Sequence, residues 1–249
     1  MTVYKPQQDG LSSTYRFGMF LVRNSIHACT KDRWEGADKL PERGGFLVCA
    51  NHISQADPLA VARFLFDHGY PPYFLAKESL FRAPLLGPFM RGAGQIPVHR
   101  GTSRAVAAYH DAVQAIEDGK CVVIFPEGTL TYDPLGWPMT GKTGAARIAL
   151  ATGRPVVPLA QWGAQFIRHR RRHTGGLRVN SYMRVGHPLQ LDDLIDQDVD
   201  GPLLRQATTR ILDAITHELE HIRGEKMPPG RWDLAAKRRV PRDSCEETR

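Results

Sequence analysis

Short apolar runs alternate with helix-length stretches through most of this 249-residue chain, and that alternation limits the folds open to it. The runs Phe46–Ala50, Tyr73–Ala76, Gly94–Val98, Cys121–Phe125, Val156–Ala160 and Leu177–Val185 have the length and composition of strands. Between them, Leu59–His68, Arg104–Asp118 and Lys142–Thr152 read as helices. The second of these has Thr102 and Ser103 as cap candidates and Gly119 as its stop. Strand–helix alternation predicts an α/β domain with a mostly parallel central sheet flanked by helices. A hydrophobic fraction of 42% over this length is enough for one sizeable core.

Three segments are expected. Residues 1–35 form an N-terminal amphipathic helical segment, 36–224 the main domain, and 225–249 a C-terminal tail. In the first, Leu11–Ala28 places Phe17, Phe20 and Leu21 at mixed helical spacing with Arg16 and Arg23 among them. Two roles fit that pattern: a helix packed on the domain, or one lying in a membrane interface with its aromatics in lipid and its arginines at phosphates. A final helix is expected over Pro202–Arg223. Beyond it, the Pro, Gly and charge content of "GEKMPPGRWDLAAKRRVPRDSCEETR" predicts a poorly ordered or loosely docked tail. The N-terminal "MTVYKPQQDG" lacks the basic-then-apolar order of a signal peptide, and no run reaches the ~18 apolar residues of a membrane span.

A formal net charge of +7 favours an anionic partner: nucleic acid, an acidic membrane surface or a phosphorylated substrate. The basic run Arg168–His173 suits lipid headgroups, nucleotide phosphates or plain solvent. Nucleic acid is disfavoured, since no zinc-ligand spacing or RNP-type aromatic motif accompanies the charge. Cys29, Cys49, Cys121 and Cys245 show no CxxC spacing and are expected to be reduced.

Two strand ends carry chemistry. "NHISQADP", Asn51–Pro58, follows a buried run and holds His52 and Asp57 five residues apart. Loops at strand C-termini open onto the usual ligand crevice of α/β folds. A histidine there suits a general base, and a carboxylate on its second nitrogen fixes the tautomer and stabilises the imidazolium. Asp57 before Pro58 equally suits a helix start, with the aspartate as N-cap. No G-x-S-x-G elbow supplies a serine, so a nucleophile would come from a substrate hydroxyl. "CVVIFPEGTL", Cys121–Leu130, ends in a turn where Glu127 is a candidate for binding substrate hydroxyls or orienting a base. Backbone N–H groups around Gly128, with Thr129, are candidates for holding a phosphate or oxyanion. Arg100, after "GQIPVH", and Lys77, after "YFLA", are further phosphate candidates at strand ends, with solvated side chains as the alternative.

In order, "NHISQAD", "GQIPVHRG", "FPEGT" and "GRPVVPLA" resemble the signature blocks of the glycerolipid acyltransferases of lysophosphatidic acid acyltransferase type, over about Phe46–Ala160. The resemblance implies that His52 removes the proton of an acceptor hydroxyl with Asp57 as partner, and that the hydroxyl attacks an acyl thioester. It further implies that Arg100, Glu127, Gly128 and Thr129 bind a glycerol phosphate acceptor and that Pro158 lies near the acyl site. Acyl-CoA or acyl carrier protein is then the donor substrate, 1-acylglycerol-3-phosphate the acceptor and phosphatidic acid the product, with no cofactor and no metal. The enzyme is expected peripherally on the cytoplasmic face of the cell membrane. Where the family continues its third block with arginine and serine, this chain has Leu130 and Thr131, so Lys77 and Lys142 are the replacement cations. That departure keeps glycerol-3-phosphate or another lysophospholipid or glycolipid open as acceptor, and a silent binder of anionic lipid stands as the reading outside enzymes. Trp137, in the insert before Lys142, is either core or the lining of a substrate channel.

Overall fold

The structure, a computed structural model, describes residues 10–84, 86–98, 105–169, 178–189, 191–195 and 197–242. A seven-stranded sheet forms from β1 (Thr30–Glu35), β2 (Phe46–Ala50), β3 (Pro72–Lys77), β4 (Ile96–Val98), β5 (Cys121–Ile124), β6 (Val156–Trp162) and β7 (Val179–Val185), in the order β1-β7-β6-β2-β5-β3-β4. Strands β2 to β6 are mutually parallel. Strand β7 runs antiparallel to β6, and β1 is parallel to β7. The mostly parallel sheet expected from alternation is present.

Strand β2 is buried along its whole length because both of its faces are covered. Phe46, Val48 and Ala50 pack with Val61, Phe64 and Leu65 of α2 (Asp57–Asp67). Leu47 and Cys49 face the other way, into a cluster with Ile116 of α5 (Ala105–Glu117), Ile148 of α6 (Gly144–Thr152) and Ile211 of α8 (Gly201–Arg223). Short helices α3 (Glu78–Arg82), α4 (Leu86–Gly92) and α7 (Asp192–Ile195) complete the flanks. Side chains of β2 thus alternate between the two cores, as a period of two requires.

Helix α1 (Ser13–Cys29) starts at Ser12, whose hydroxyl accepts from the Tyr15 amide. It packs on α2 and α4 through Tyr15, Met19 and Ile26, and the Tyr15 hydroxyl donates to the Pro72 carbonyl at 3.0 Å. Phe17, Phe20 and Leu21 stay exposed. One helix thus shows both features anticipated for it: a packed face and an apolar outer face.

Two expectations change. Residues 30–35, grouped with the N-terminal helical segment, are strand β1 of the main sheet. Lys31, Arg33 and Glu35 sit on its exposed face, and this charged pattern of an edge strand hides it from a search for apolar runs. Within the described residues after α8, the chain is docked: β8 (Arg231–Asp233) and β9 (Arg238–Val240) form a hairpin, and Arg231 is fully buried. Burial there, of Arg231 and of Met227 against Trp137 and Leu219, is long-range, so composition did not reveal it. Of the two readings kept open for Trp137, the core one holds: it is 1% exposed, with the Arg223 guanidinium carbon 4.0 Å from its ring centroid. Thr102, Ser103, Cys245, residues 170–173 of the basic run and the residue-177 end of the predicted β7 lie outside the described residues, as do the side chains of Arg168 and His169.

Candidate active site

The C-terminal ends of β2, β5, β3 and β4 lie side by side on one edge of the sheet. His52 follows the first of them. Before it, Asn51 extends the strand ladder with its side chain: Oδ1 accepts from the Gln161 amide at 2.8 Å and Nδ2 donates to the Gln161 carbonyl at 3.0 Å. This amide pairing pins the end of β2 to β6, so the loop that follows starts from a fixed point.

Asp57 is the first residue of α2, but it does not cap that helix. Its carboxylate turns back over the loop and is fully buried. Oδ2 accepts from the amides of Ile53 at 2.6 Å and Ser54 at 2.7 Å and meets His52 Nδ1 at 3.0 Å. Oδ1 accepts from the Ser54 hydroxyl at 2.5 Å. Three donors besides the histidine therefore occupy the acceptor sites of this carboxylate. The helix-capping expectation for Asp57 is corrected by this network, though its charge still sits at a helix N-terminus, where the backbone dipole favours it.

The His52 ring is fixed on a second side by Phe125, stacked with centroids 4.2 Å apart. With Nδ1 turned to Asp57, Nε2 has no hydrogen-bond partner among the described residues, and the side chain is 18% exposed. The pair has the geometry of an oriented base.

Glu127 lies beneath this arrangement and not in its mouth. It is 3% exposed, and its two oxygens accept backbone amides, Oε1 from His52 at 3.0 Å and Oε2 from Met139 at 3.0 Å. Burial pushes its carboxyl up to about 8, against the two amide hydrogen bonds and the Arg231 charge, while Asp57 adds to the rise. Its expected contact with substrate hydroxyls gives way to a brace that joins the β2 loop to the segment before α6. The carbonyl of His52 accepts from the Thr131 amide at 2.6 Å, so this loop is tied to the β5 turn twice.

Gly128 closes that turn with φ +68, a left-handed conformation that glycine adopts without steric cost. Its amide donates to the Phe125 carbonyl at 2.9 Å, which corrects the expectation that this N–H is open to a phosphate. Thr129 follows, half-buried. The exposed Lys142 arches over the turn: a Cβ placed on Gly128 would meet its Cδ at 3.2 Å, and its amide donates to the Pro126 carbonyl. Lys77 is exposed at the end of β3, two strands from β2 and so about 10 Å along the sheet edge. Pro158 lies in the middle of β6, paired in register with Cys49. Arg100 lies outside the described residues.

Sequence reasoning missed Phe125, Met139 and Arg231 as parts of the site's support. An aromatic residue at the last position of an apolar run was the available signal for Phe125. The other two act through backbone or long-range charge, which leaves no local pattern. Cys49 and Cys121 are buried in the core, and burial pushes both thiols up, away from reactive thiolate.

A family model described as Acyltransferase matches residues 32–162. Over 191 residues the chain is 30% identical to the 1-acyl-sn-glycerol-3-phosphate acyltransferase of Borreliella burgdorferi, covering 76% of this chain and 71% of that protein. Identity to the protein of the same name from Bacillus subtilis is 28% over 126 residues, 51% of this chain and 60% of the other. The lysophospholipid acyltransferase LPEAT1 of Arabidopsis thaliana is 32% identical over 133 residues, 50% of this chain and 30% of that one. Among solved structures, the 1-acyl-sn-glycerophosphate (LPA) acyltransferase PlsC from Thermotoga maritima aligns with a TM-score of 0.60 at 20% identity, covering 86% of this chain and 83% of that one, a likeness of fold.

Proposed function

The chain belongs to the acyltransferase family, and from that premise we propose that it transfers a fatty acyl chain from acyl-CoA or acyl carrier protein to the free hydroxyl of 1-acylglycerol-3-phosphate, giving phosphatidic acid. The observation that carries this is the buried Asp57 carboxylate on His52 Nδ1, with Nε2 left to face a substrate. Relatives named for the same reaction support the choice of acceptor.

In the reaction, an acceptor hydroxyl within hydrogen-bond reach of Nε2, about 2.6–3.2 Å, gives its proton to His52 as its oxygen attacks the thioester carbonyl. The new C–O bond forms, the C–S bond breaks, and the electron pair leaves on sulfur. The imidazolium, stabilised by Asp57, returns the proton to the thiolate. Lys142 over the Gly128 turn and Lys77 at the end of β3 supply positive charge for the acceptor phosphate, with Arg100 of the second motif block as a further cation. Glu127, Gly128 and Thr129 shape the turn over which Lys142 lies.

No helix among the described residues is long and apolar enough to cross a membrane. The enzyme is read as peripheral on the cytoplasmic face, with the exposed Phe17, Phe20 and Leu21 of α1 entering the lipid surface where acceptor and product reside. Leu130 in place of the family's arginine favours a second acceptor class, a larger lysophospholipid, as the name of the Arabidopsis relative also does.

Transfer from labelled acyl-CoA and from acyl carrier protein to a panel of acceptors, with wild type beside His52→Ala, tests this. Selective acylation of 1-acylglycerol-3-phosphate that is lost in the variant is expected. Transfer to another lysophospholipid would replace the acceptor, and lipid binding without transfer to any acceptor would leave a silent binder.

A further inference from the structure

The hairpin that follows α8 lies outside every motif block, yet it sends Arg231 to the underside of the candidate site. The guanidinium is fully buried. Nη2 donates to Asp213 Oδ1 at 2.7 Å, and Nη1 donates to Thr216 Oγ1 at 3.0 Å and reaches the Pro138 carbonyl at 3.5 Å. The same peptide unit, Pro138–Met139, donates its N–H to Glu127 Oε2, and Glu127 Oε1 accepts the His52 amide. A cation at the carbonyl end and a carboxyl at the amide end align with the peptide's own dipole. One residue further on, the Thr140 amide donates to the Trp232 carbonyl at 3.0 Å, so the hairpin and this segment are joined beside the chain of contacts.

We propose that Arg231 is a positioning residue for His52, acting through the Pro138–Met139 peptide and Glu127. This rests on the reading of His52 as the base. The geometry gives the C-terminal hairpin a reason to be packed where it is: Arg231 reaches the carbonyl end of the peptide whose N–H donates to Glu127, the carboxyl that braces the loop of His52. The charged groups facing Glu127 are Arg231 and Asp57, and those facing Arg231 are Asp213, Arg242 and Glu127. Loss of the Arg231 cation removes a positive charge facing Glu127, raising the pH at which that carboxyl ionises.

Arg231→Met and Arg231→Lys, each in the full chain and each repeated in a Glu127→Gln background, form the test. In Arg231→Met, kcat for acyl transfer is expected to fall about tenfold or more with the acceptor KM little changed. Arg231→Lys should restore most of it. The backbone amide proton of His52, followed by NMR in isotopically labelled protein, should shift in Arg231→Met, stay near its wild-type position in Arg231→Lys, and become insensitive to residue 231 once Glu127 is glutamine. An unmoved His52 amide in a folded Arg231→Met protein overturns the proposal whether or not the enzyme turns over. Equal loss in the lysine and methionine variants, or undiminished loss in the Glu127→Gln background, overturns it too. Failure of the proposed function would appear separately, as absence of transfer by wild type.

A different pair of side chains carries a second proposal. His217 and His221, one turn apart on the exposed face of α8, bring Nε2 to within 3.3 Å of Nε2. Two bonds of about 2.0–2.1 Å at a tetrahedral angle span about that separation, so a metal ion could bridge the rings without moving the backbone. We infer that this pair binds a divalent transition ion of the imidazole-preferring kind, zinc or nickel, with water completing its shell. The stretch His217-Glu218-Leu219-Glu220-His221 has the H-E-x-x-H spacing of zinc hydrolases, but Glu218 is buried and accepts from Arg184 Nε at 2.7 Å. The glutamate that would activate water is committed elsewhere, and the inferred site binds without hydrolysing. Calorimetric titration of the full chain with zinc chloride and nickel chloride should show one binding event that disappears in His217→Ala and in His221→Ala, whose melting curves stay intact. Unchanged binding in either variant overturns the inference.

Discussion

Asp57 begins α2 and faces away from it: its Oδ2 meets His52 Nδ1 at 3.0 Å while also taking the amides of Ile53 and Ser54. The histidine and its orienting carboxylate are thus one rigid loop, held by hydrogen bonds inside six residues. Because the acceptor-only carboxylate is saturated with donors, its replacement by an amide places N–H groups against N–H groups. The two partners should respond differently to substitution.

His52→Ala is expected to lower acyl transfer by about 10²- to 10⁴-fold, the usual contribution of a general base, while the thermal midpoint changes little. Asp57→Asn should lose comparable activity and also cost about 1–3 kcal/mol of stability, since a buried donor is left without its acceptor. Steady-state rates and denaturant melts of both variants separate the roles; a stable, fully active Asp57→Asn protein would remove Asp57 from the mechanism.

The raised carboxyl of Glu127 makes stability depend on pH. Its folded value of about 8 lies above its ordinary value, so between those limits the folded state holds a proton that the unfolded chain releases. Stability from this group is full below the ordinary carboxylate range and lost as pH rises through about 8. Melting temperatures of wild type should fall across that window relative to Glu127→Gln, and parallel curves for the two would show that Glu127 ionises normally.

Lys142 lies over the Gly128 turn and is exposed. Its replacement by alanine should raise the KM for a phosphate-bearing acceptor by about tenfold, the worth of one charge-assisted contact, with kcat little altered. The effect should shrink at high salt, because an exposed charge is screened. An unchanged KM would assign phosphate binding to other cations.

The exposed rings of Phe17 and Phe20, each 62% accessible, give α1 its apolar outer face. Burying such a side chain is worth about 1.5–3 kcal/mol, so Phe17→Ser with Phe20→Ser should weaken partition onto anionic vesicles by about 10²-fold or more. Co-sedimentation with vesicles measures this directly. Equal partition of the double variant and wild type would leave α1 as a packing helix only.

The strands were readable from the chain because β2, β5 and β6 are covered on both faces and so spell unbroken apolar runs. The two chemical segments were readable for a related reason: a histidine, an aspartate and a glutamate directly after such runs have no packing role in the strand itself. Strand β1 escaped notice because an edge strand with one face in water carries charge, and its polar alternation resembles a loop.

What the sequence by itself determined was the α/β class, the candidate strand ends and, through four motif blocks in order, the acyltransferase family. Those features are written in local patterns of period two and 3.6 and in residue types that have no other reason to be there. Tertiary structure alone decided that Asp57 turns toward His52 instead of capping its helix, that Glu127 lies under the site with both oxygens on backbone amides, and that Arg231 comes from 100 residues away to stand behind it. Each of those outcomes depends on which buried polar groups find partners once the layers close, and a buried hydrogen bond or charge leaves no periodic trace in the chain that makes it.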